Sequence, residues 1–518
     1  MKMSKLTLLI AGLLVYAPIR TVTAGGGGDL KIGYVYIDEE GDESVSFPSF
    51  NLYDGPGVSL ERFGYRFGNG LKLSMDLRNV NLDNRNVKVG VDKTGFYGID
   101  FSTNRYRRVY NSDGRANTRR DRTMVGVWLS PGRYARVFAK GSFNSLSGSR
   151  EILPGQVMEP IAEDIDYRSS KFTFGGDIKD EGRLLHAEYG LWDYTDQKDE
   201  GNDQSRRMGR INALLPLPGY ERIILSGMFT SFKTEYDKGG RSIESWTVMG
   251  GGIYKFMKNA RLDYVARLNR AGSSDDLVET DNLAHMVYLS YNLPPSFGAT
   301  AGYQYHVNDD FEDVVVSNSF YFGGWLAPTD KVKFKFEQGF RADDVDEGSR
   351  LVGDEERSKT KAYGTYRPSD QFALKAGFEL KSRENKDLGT SADYDRIYIE
   401  PRLAFEDLLT LSGGYSVSSG EYKNLVSRFE FRSHQVYGNI DISLLEKLTG
   451  GFGITYFRDK KDLDTEATNL LFRAMYSFTG TAKAELIYRV YNFDNFLFTD
   501  KYYTGNIVEF NLIKSFSI

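Results

Sequence analysis

Between Lys331 and Phe340 the chain alternates between two kinds of side chain. Val332, Phe334, Phe336 and Phe340 fall on one side, and Lys331, Lys333, Lys335 and Glu337 on the other. Successive side chains of a strand point to opposite faces, so this run predicts a strand with one apolar and one charged wall. The turn signal Pro328-Thr329-Asp330 precedes it. The same unit, a tight turn followed by about ten alternating residues, recurs along most of the sequence. Leu30–Ile37 reads as the first strand. Val58–Phe67 and Leu71–Val80 flank Gly68-Asn69-Gly70 as a hairpin, and Asn86–Val91 and Phe96–Arg105 flank Asp92–Gly95 as another.

Connections alternate between short and long. Ser130–Gly132, Pro294-Pro295, Pro328–Asp330 and Thr479-Gly480 are short. Ser145–Tyr167, Ala342–Arg357 and Ser382–Tyr394 are long and polar. Short turns at one end and long loops at the other match the periplasmic and extracellular ends of an outer-membrane barrel. The pattern predicts an all-β fold: a large single transmembrane antiparallel β-barrel of about 26 strands, spanning residues 30–518. In the closing strand, Asn506–Ile518, the residues Val508, Phe510, Leu512, Phe516 and Ile518 share one register. Helical periodicity is nearly absent, and no stretch is long enough for an in-chain plug.

Composition agrees. Only 40% of the 518 residues are hydrophobic, yet 14% are aromatic, and the mean hydropathy is −0.44. Half-polar strands with aromatic girdles give that mixture. Residues 1–24 read as a secretory signal: Lys2 and Lys5, an apolar core from Leu6 to Ala17, then Val22-Thr23-Ala24 before a cut at Gly25. Residues 25–29 read as a periplasmic tether. The expected location is the cell outer membrane.

The chemistry is sparse. With 0 cysteines, disulfides, thiolate metal sites and covalent haem attachment on this chain are excluded. A net charge of −5 gives no footprint for nucleic acid. His186, His285, His306 and His434 show no metal-ligand spacing, and no hydrolase, zinc-protease or P-loop pattern appears. No catalytic, cofactor-binding or metal residue is assigned, so the chain is expected not to be an enzyme. The acidic runs 309–313 and 343–347 lack a calcium-loop pattern and read as solvated loops.

Two sets of charges are candidates for contact. Lys331, Lys333, Lys335, Glu337, Lys375, Glu379 and Lys381, with Lys483, Glu485 and Arg489, are expected to face the lumen and touch a partner there. Arg105, Arg107, Arg108, Arg115, Arg119, Arg120 and Arg122 crowd one outer loop and its strand ends. As a charged rim they would meet water, lipopolysaccharide phosphates or an acidic partner. Barrels of 16–18 strands already leave an aqueous channel, so about 26 strands without a plug imply that something else fills the bore.

Residues 77–108 supply a resemblance. Asn81-Leu82-Asp83-Asn84-Arg85-Asn86, an alternating strand, Gly95-Phe96-Tyr97-Gly98 and a strand ending near Arg105 resemble the N-terminal part of MtrB/PioB-type porins. Some members of that family carry a Cys-x-x-Cys that this chain lacks. The resemblance implies a barrel that sheathes a periplasmic multihaem c-type cytochrome, all haem being carried by that partner. It also implies an extracellular multihaem cytochrome as a second partner, with electrons crossing the outer membrane. The alternative is a general diffusion porin or substrate-specific channel, its bore narrowed by an inward loop such as Ser145–Tyr167. A lipopolysaccharide-export barrel would bring a periplasmic β-domain that is not seen.

Overall fold

In a computed structural model, all 26 elements are antiparallel strands, joined edge to edge into one closed sheet. The structure describes residues 25–41, 54–82, 84–109, 117–152, 161–199, 202–275, 279–310, 313–347, 353–406, 408–462, 464–497 and 502–518. The expected signal segment and Arg115 lie outside them. Each strand pairs with its neighbours in sequence, and β1 (Gly26–Gly41) pairs with β26 (Tyr502–Ser517) to complete the ring. Appreciable contact is confined to adjacent strands. Among the described residues, therefore, nothing bridges the bore.

The wall has two faces because the side-chain period is two. In β16 (Asp313–Thr329) and β17 (Val332–Glu347), Phe320, Phe322, Phe334 and Phe340 are among the most exposed apolar residues. They share one face by cross-strand register. The same face of β22 (Arg428–Leu445) carries Val436, Ile440, Ile442 and Leu444. The nine positions from Val436 to Leu444 span about 20–25 Å along the barrel axis at the usual rise and tilt, the height of an outer-membrane apolar band. The apolar face is thus the outer one, against lipid, and the charged face lines the lumen.

The strands run further than the sequence suggests. β7 (Ala135–Ile152) and β8 (Ile161–Asp180) absorb most of Ser145–Tyr167. The loop expected to narrow the bore is therefore mostly wall, its polar residues being strand that rises above the apolar band. The stretch expected to be a tether, residues 25–29, is also wall from Gly26 onward, since Gly27 pairs with Ser517. At the other extreme, β3 (Leu71–Arg78) and β4 (Asn86–Lys93) have 8 residues each and leave a notch in the outer rim. The connection between them folds down on β2 (Gly55–Arg66). Asn81 accepts from the Val58 amide at 3.0 Å and donates to the Pro56 carbonyl at 2.7 Å. Asn79 takes a positive φ of 49° there, its amide donating to the Ser59 hydroxyl at 2.9 Å.

The closing seam is well tied. Asp29, 8% exposed, accepts from the Ser515 hydroxyl at 2.6 Å across the β1–β26 join and from Arg62 on β2. Arg62 stands at a bulge with φ 54°, where the β2–β3 register shifts. Ile507 and Tyr503 of β26 are covered completely or nearly so, at 0% and 2% exposure.

Candidate functional site

The lumenal wall of β17, β18 (Glu355–Tyr366), β19 (Phe372–Asn385) and β20 (Thr390–Phe405) is built from the alternation that defines the strands. Lys333, Lys335 and Glu337 lie level with Thr365, Tyr363 and Lys361, and these with Lys375, Gly377 and Glu379. Lys381 and Arg396 extend the same face. The predicted lumenal residues of this sector are brought together, Lys331 lying in the turn at its foot. Inward cations here outnumber inward acids.

These charges are largely compensated. Lys335 pairs with Glu337 at 2.6 Å, Lys375 with Glu400 at 2.8 Å and Lys381 with Glu379 at 3.0 Å. Toward the outer end, Glu355 is 6% exposed and holds both Arg357 and Arg383, the latter at 2.7 Å. The second predicted group sits near the seam. Glu485 of β25 (Ala482–Asn495) holds Arg473 at 2.7 Å and accepts from Asn511 at 3.2 Å. Arg489 holds Glu509 at 2.8 Å, and Lys483 shares that face.

Sequence reasoning missed the aromatic half of this wall. Lys333 lies 4.7 Å over Trp325, Lys375 4.9 Å over Tyr398, Lys381 4.8 Å over Tyr394 and Arg136 4.7 Å over Trp128. Two of these rings, Trp128 and Trp325, and likewise Tyr437, lie over an inward glycine of the next strand. A Cβ on Gly98 would meet Trp128 at 2.3 Å, one on Gly298 would meet Trp325 at 2.3 Å, and one on Gly414 would meet Tyr437 at 2.4 Å. Cross-strand register places each pair level. The glycine lets the ring lie down, and the cation caps the exposed π-face. The signal was present as inward glycines, but it is readable only once register is known.

One prediction follows from that geometry. Gly298→Leu should lift Trp325 off the wall and away from Lys333, costing about 1–3 kcal/mol. A shifted Trp325 emission, measured in a variant keeping Trp325 as its sole tryptophan, with a lower urea midpoint would register it. An unchanged spectrum and midpoint would refute it.

The described arginines of the predicted rim lie at the outer ends of two adjacent strands and divide between their faces. β5 (Tyr97–Val109) and β6 (Asn117–Leu129) put Arg107 level with Arg119, and Arg105 level with Asp121, on the outer face. Arg108 and Arg120 point the other way. Arg120 donates to the Tyr106 and Tyr167 hydroxyls at 3.0 Å each. Neighbours on a strand cannot share a face, so the run splits between lipid side and lumen. Arg105 is paired with Asp121 at 2.5 Å.

The histidines divide likewise. His186 is lumenal, between Asp177 at 2.5 Å and Glu188 at 3.4 Å, and His306 shares the lumenal face. His285 and His434 lie on the outer face, each 2.8 Å from a tyrosine hydroxyl, of Tyr264 and Tyr415 respectively. Among the described residues no cluster of metal-ligating side chains occurs. Of the acidic runs, Asp309, Asp310 and Asp343 belong to strands, and Asp343 pairs with Arg341 at 2.7 Å.

No family model and no curated protein matches the chain. Solved structures do. The FrpB iron transporter from Neisseria meningitidis is 12% identical, with 95% of this chain and 81% of that one covered at a TM-score of 0.52. The siderophore receptor PirA from Pseudomonas aeruginosa is 12% identical over 81% of this chain and 80% of its own, at a TM-score of 0.51. At such identities the likeness is one of fold: a large barrel of the outer-membrane type.

Proposed function

We propose that this barrel is an outer-membrane sheath whose bore houses a partner protein, a multihaem c-type cytochrome that carries electrons across the membrane. The observation that carries the proposal is the size of the bore. Twenty-six strands at about 4.8 Å spacing and about 40° tilt make a ring about 50 Å across between backbones. Lining side chains reduce that to about 35–40 Å, enough for a folded protein of about 100 residues, whose diameter is near 34 Å. The described residues leave that space uncrossed. The haem-bearing nature of the occupant rests on the resemblance of residues 77–108. In this reading the chain binds no haem and catalyses nothing. Its apolar face excludes lipid, its lumenal charges and rings hold the partner through many modest contacts, and an extracellular cytochrome takes over at the outer rim.

Affinity purification of the tagged barrel from native membranes should bring down a haem-staining protein in stoichiometric amount. Full-yield assembly of the barrel in cells lacking all c-type cytochromes would count against the sheath. A second reading, a substrate channel, is favoured by the fold neighbours, which are named as a siderophore receptor and an iron transporter. Planar-bilayer recording separates the two. Steady large conductance from the native complex favours the channel, and conductance that appears only after partner removal favours the sheath.

A further inference from the structure

The lumenal wall is not uniform. On β17–β20 Lys335, Lys375 and Lys381 pair with carboxylates and Lys333 lies on Trp325, as described above. On the stretch from β2 to β8 the lysines have no such carboxylate partners among the described residues. Gly64, Gly90 and Gly126 fall on one cross-strand row, separated by Ser74 and Asp100. No atom lies within 4 Å of a Cβ built on Gly64, and the neighbours of one on Gly126 are 3.9 Å away or more; at Gly90, between them, only the small side chains of Ser74 and Asp100 turn in, 2.8 and 3.2 Å from such a Cβ. The row is therefore a trench in the wall, about 19 Å long at the usual strand spacing. It belongs to a recess of about 860 Å³, within the size range of ligand sites.

Lys72, Lys88, Lys140 and Lys171 line this recess. All four are exposed to the lumen. Lys140 lies 4.6 Å over Phe138, while among the described residues the other three form no ion pair or cation–ring contact. Two acids line the recess, Asp100 and Asp76, the latter level with Lys88 but held by Arg78 at 2.8 Å, and Asp92 stands level with Lys72 at its edge, so the four lysines outnumber the acids around them. Ser74, Ser102, Ser142 and Thr173 add hydroxyl donors along the same walls. Four ammonium groups spread over β3–β8 match several negative groups at intervals better than one compact ion. Lysine binds phosphate as a point charge, and hydroxyls complete a phosphate shell.

We propose that this recess is a binding site for an elongated phosphate-bearing oligoanion that enters the bore. Lys88 and Lys171 form the upper edge of the trench and Lys72 the lower one, by their register against its central row. The site needs no assumption about what else the bore contains.

Titration calorimetry on the full mature barrel in detergent, at low ionic strength, tests it. The probes are inorganic phosphate, tripolyphosphate and a longer linear polyphosphate. Saturable one-to-one binding is expected, tightening with chain length and weakening as salt screens the charges. Lys88→Gln with Lys171→Gln should weaken tripolyphosphate binding at least about tenfold. Asp100→Asn should tighten it. Lys359→Gln with Lys361→Gln, on β18, where Glu379 lies 3.8 Å from Lys359 and level with Lys361, should leave it unchanged. Each variant is first checked for heat-modifiable mobility, and the single variants stand in if the double one misfolds. Four results overturn the site. They are no saturable binding, equal affinity in the Lys88/Lys171 variant, equal loss in the Lys359/Lys361 variant, and tighter binding of hexaglutamate than of tripolyphosphate. The first of these would mean a charged wall in water and nothing more.

Discussion

Replacing Phe322 by arginine should cost the barrel about 2–4 kcal/mol, the penalty of a cation near the middle of the lipid-facing band. Phe322 is 54% exposed on the outer face, between Asn318 above and Thr329 at the foot of β16, and its ring lies 6.1 Å from that of Phe336. A charge placed there has hydrocarbon on its open side. Ser319→Arg, three residues away on the lumenal face, should cost under about 1 kcal/mol, because surface changes away from special features cost little. Urea titration in detergent or lipid, followed by tryptophan emission, gives both numbers. Equal costs would mean that the two faces have been assigned wrongly and would remove the basis for the lumen as well.

The barrel freed of any partner should be a very large hole. Reconstituted into liposomes, it should release a folded protein of about 10 kDa, the size class that fits a bore of about 35–40 Å. Porins of 16–18 strands leave only an aqueous channel and serve as the control. If the native complex releases nothing of that size while the stripped barrel does, a removable occupant is indicated. If the stripped barrel is also tight, its own residues close the bore and the sheath is wrong.

Much of this was legible in the alternation alone. Val332–Phe340 fixes a face for every residue in it, and repeating that reading yields the strand number that the structure bears out. What could not be read is anything that depends on register between strands. Gly298 and Trp325 are far apart in sequence and become one feature only when β15 and β16 are aligned. Lys72 and Lys171 share a recess for the same reason. The arginine run sits at the strand ends, but its facing was not read: Arg107 and Arg108 stand on opposite sides of the wall. Polarity also misled at Ser145–Tyr167, because strands that emerge above the apolar band lose the hydrophobic half of their pattern while keeping their hydrogen-bonded partners.

The join between β1 and β26 imposes an order in time. Asp29 and Ser515 are 486 positions apart, so the bond between them forms only after everything between has been made and laid side by side. Loop closure over such a span is slow compared with local hairpins. Until the ends meet, the growing sheet exposes two raw edges able to recruit a stray strand. Insertion is thus committed by its last ligature, and a nascent chain interrupted near its carboxyl end leaves an open trough in place of a tube.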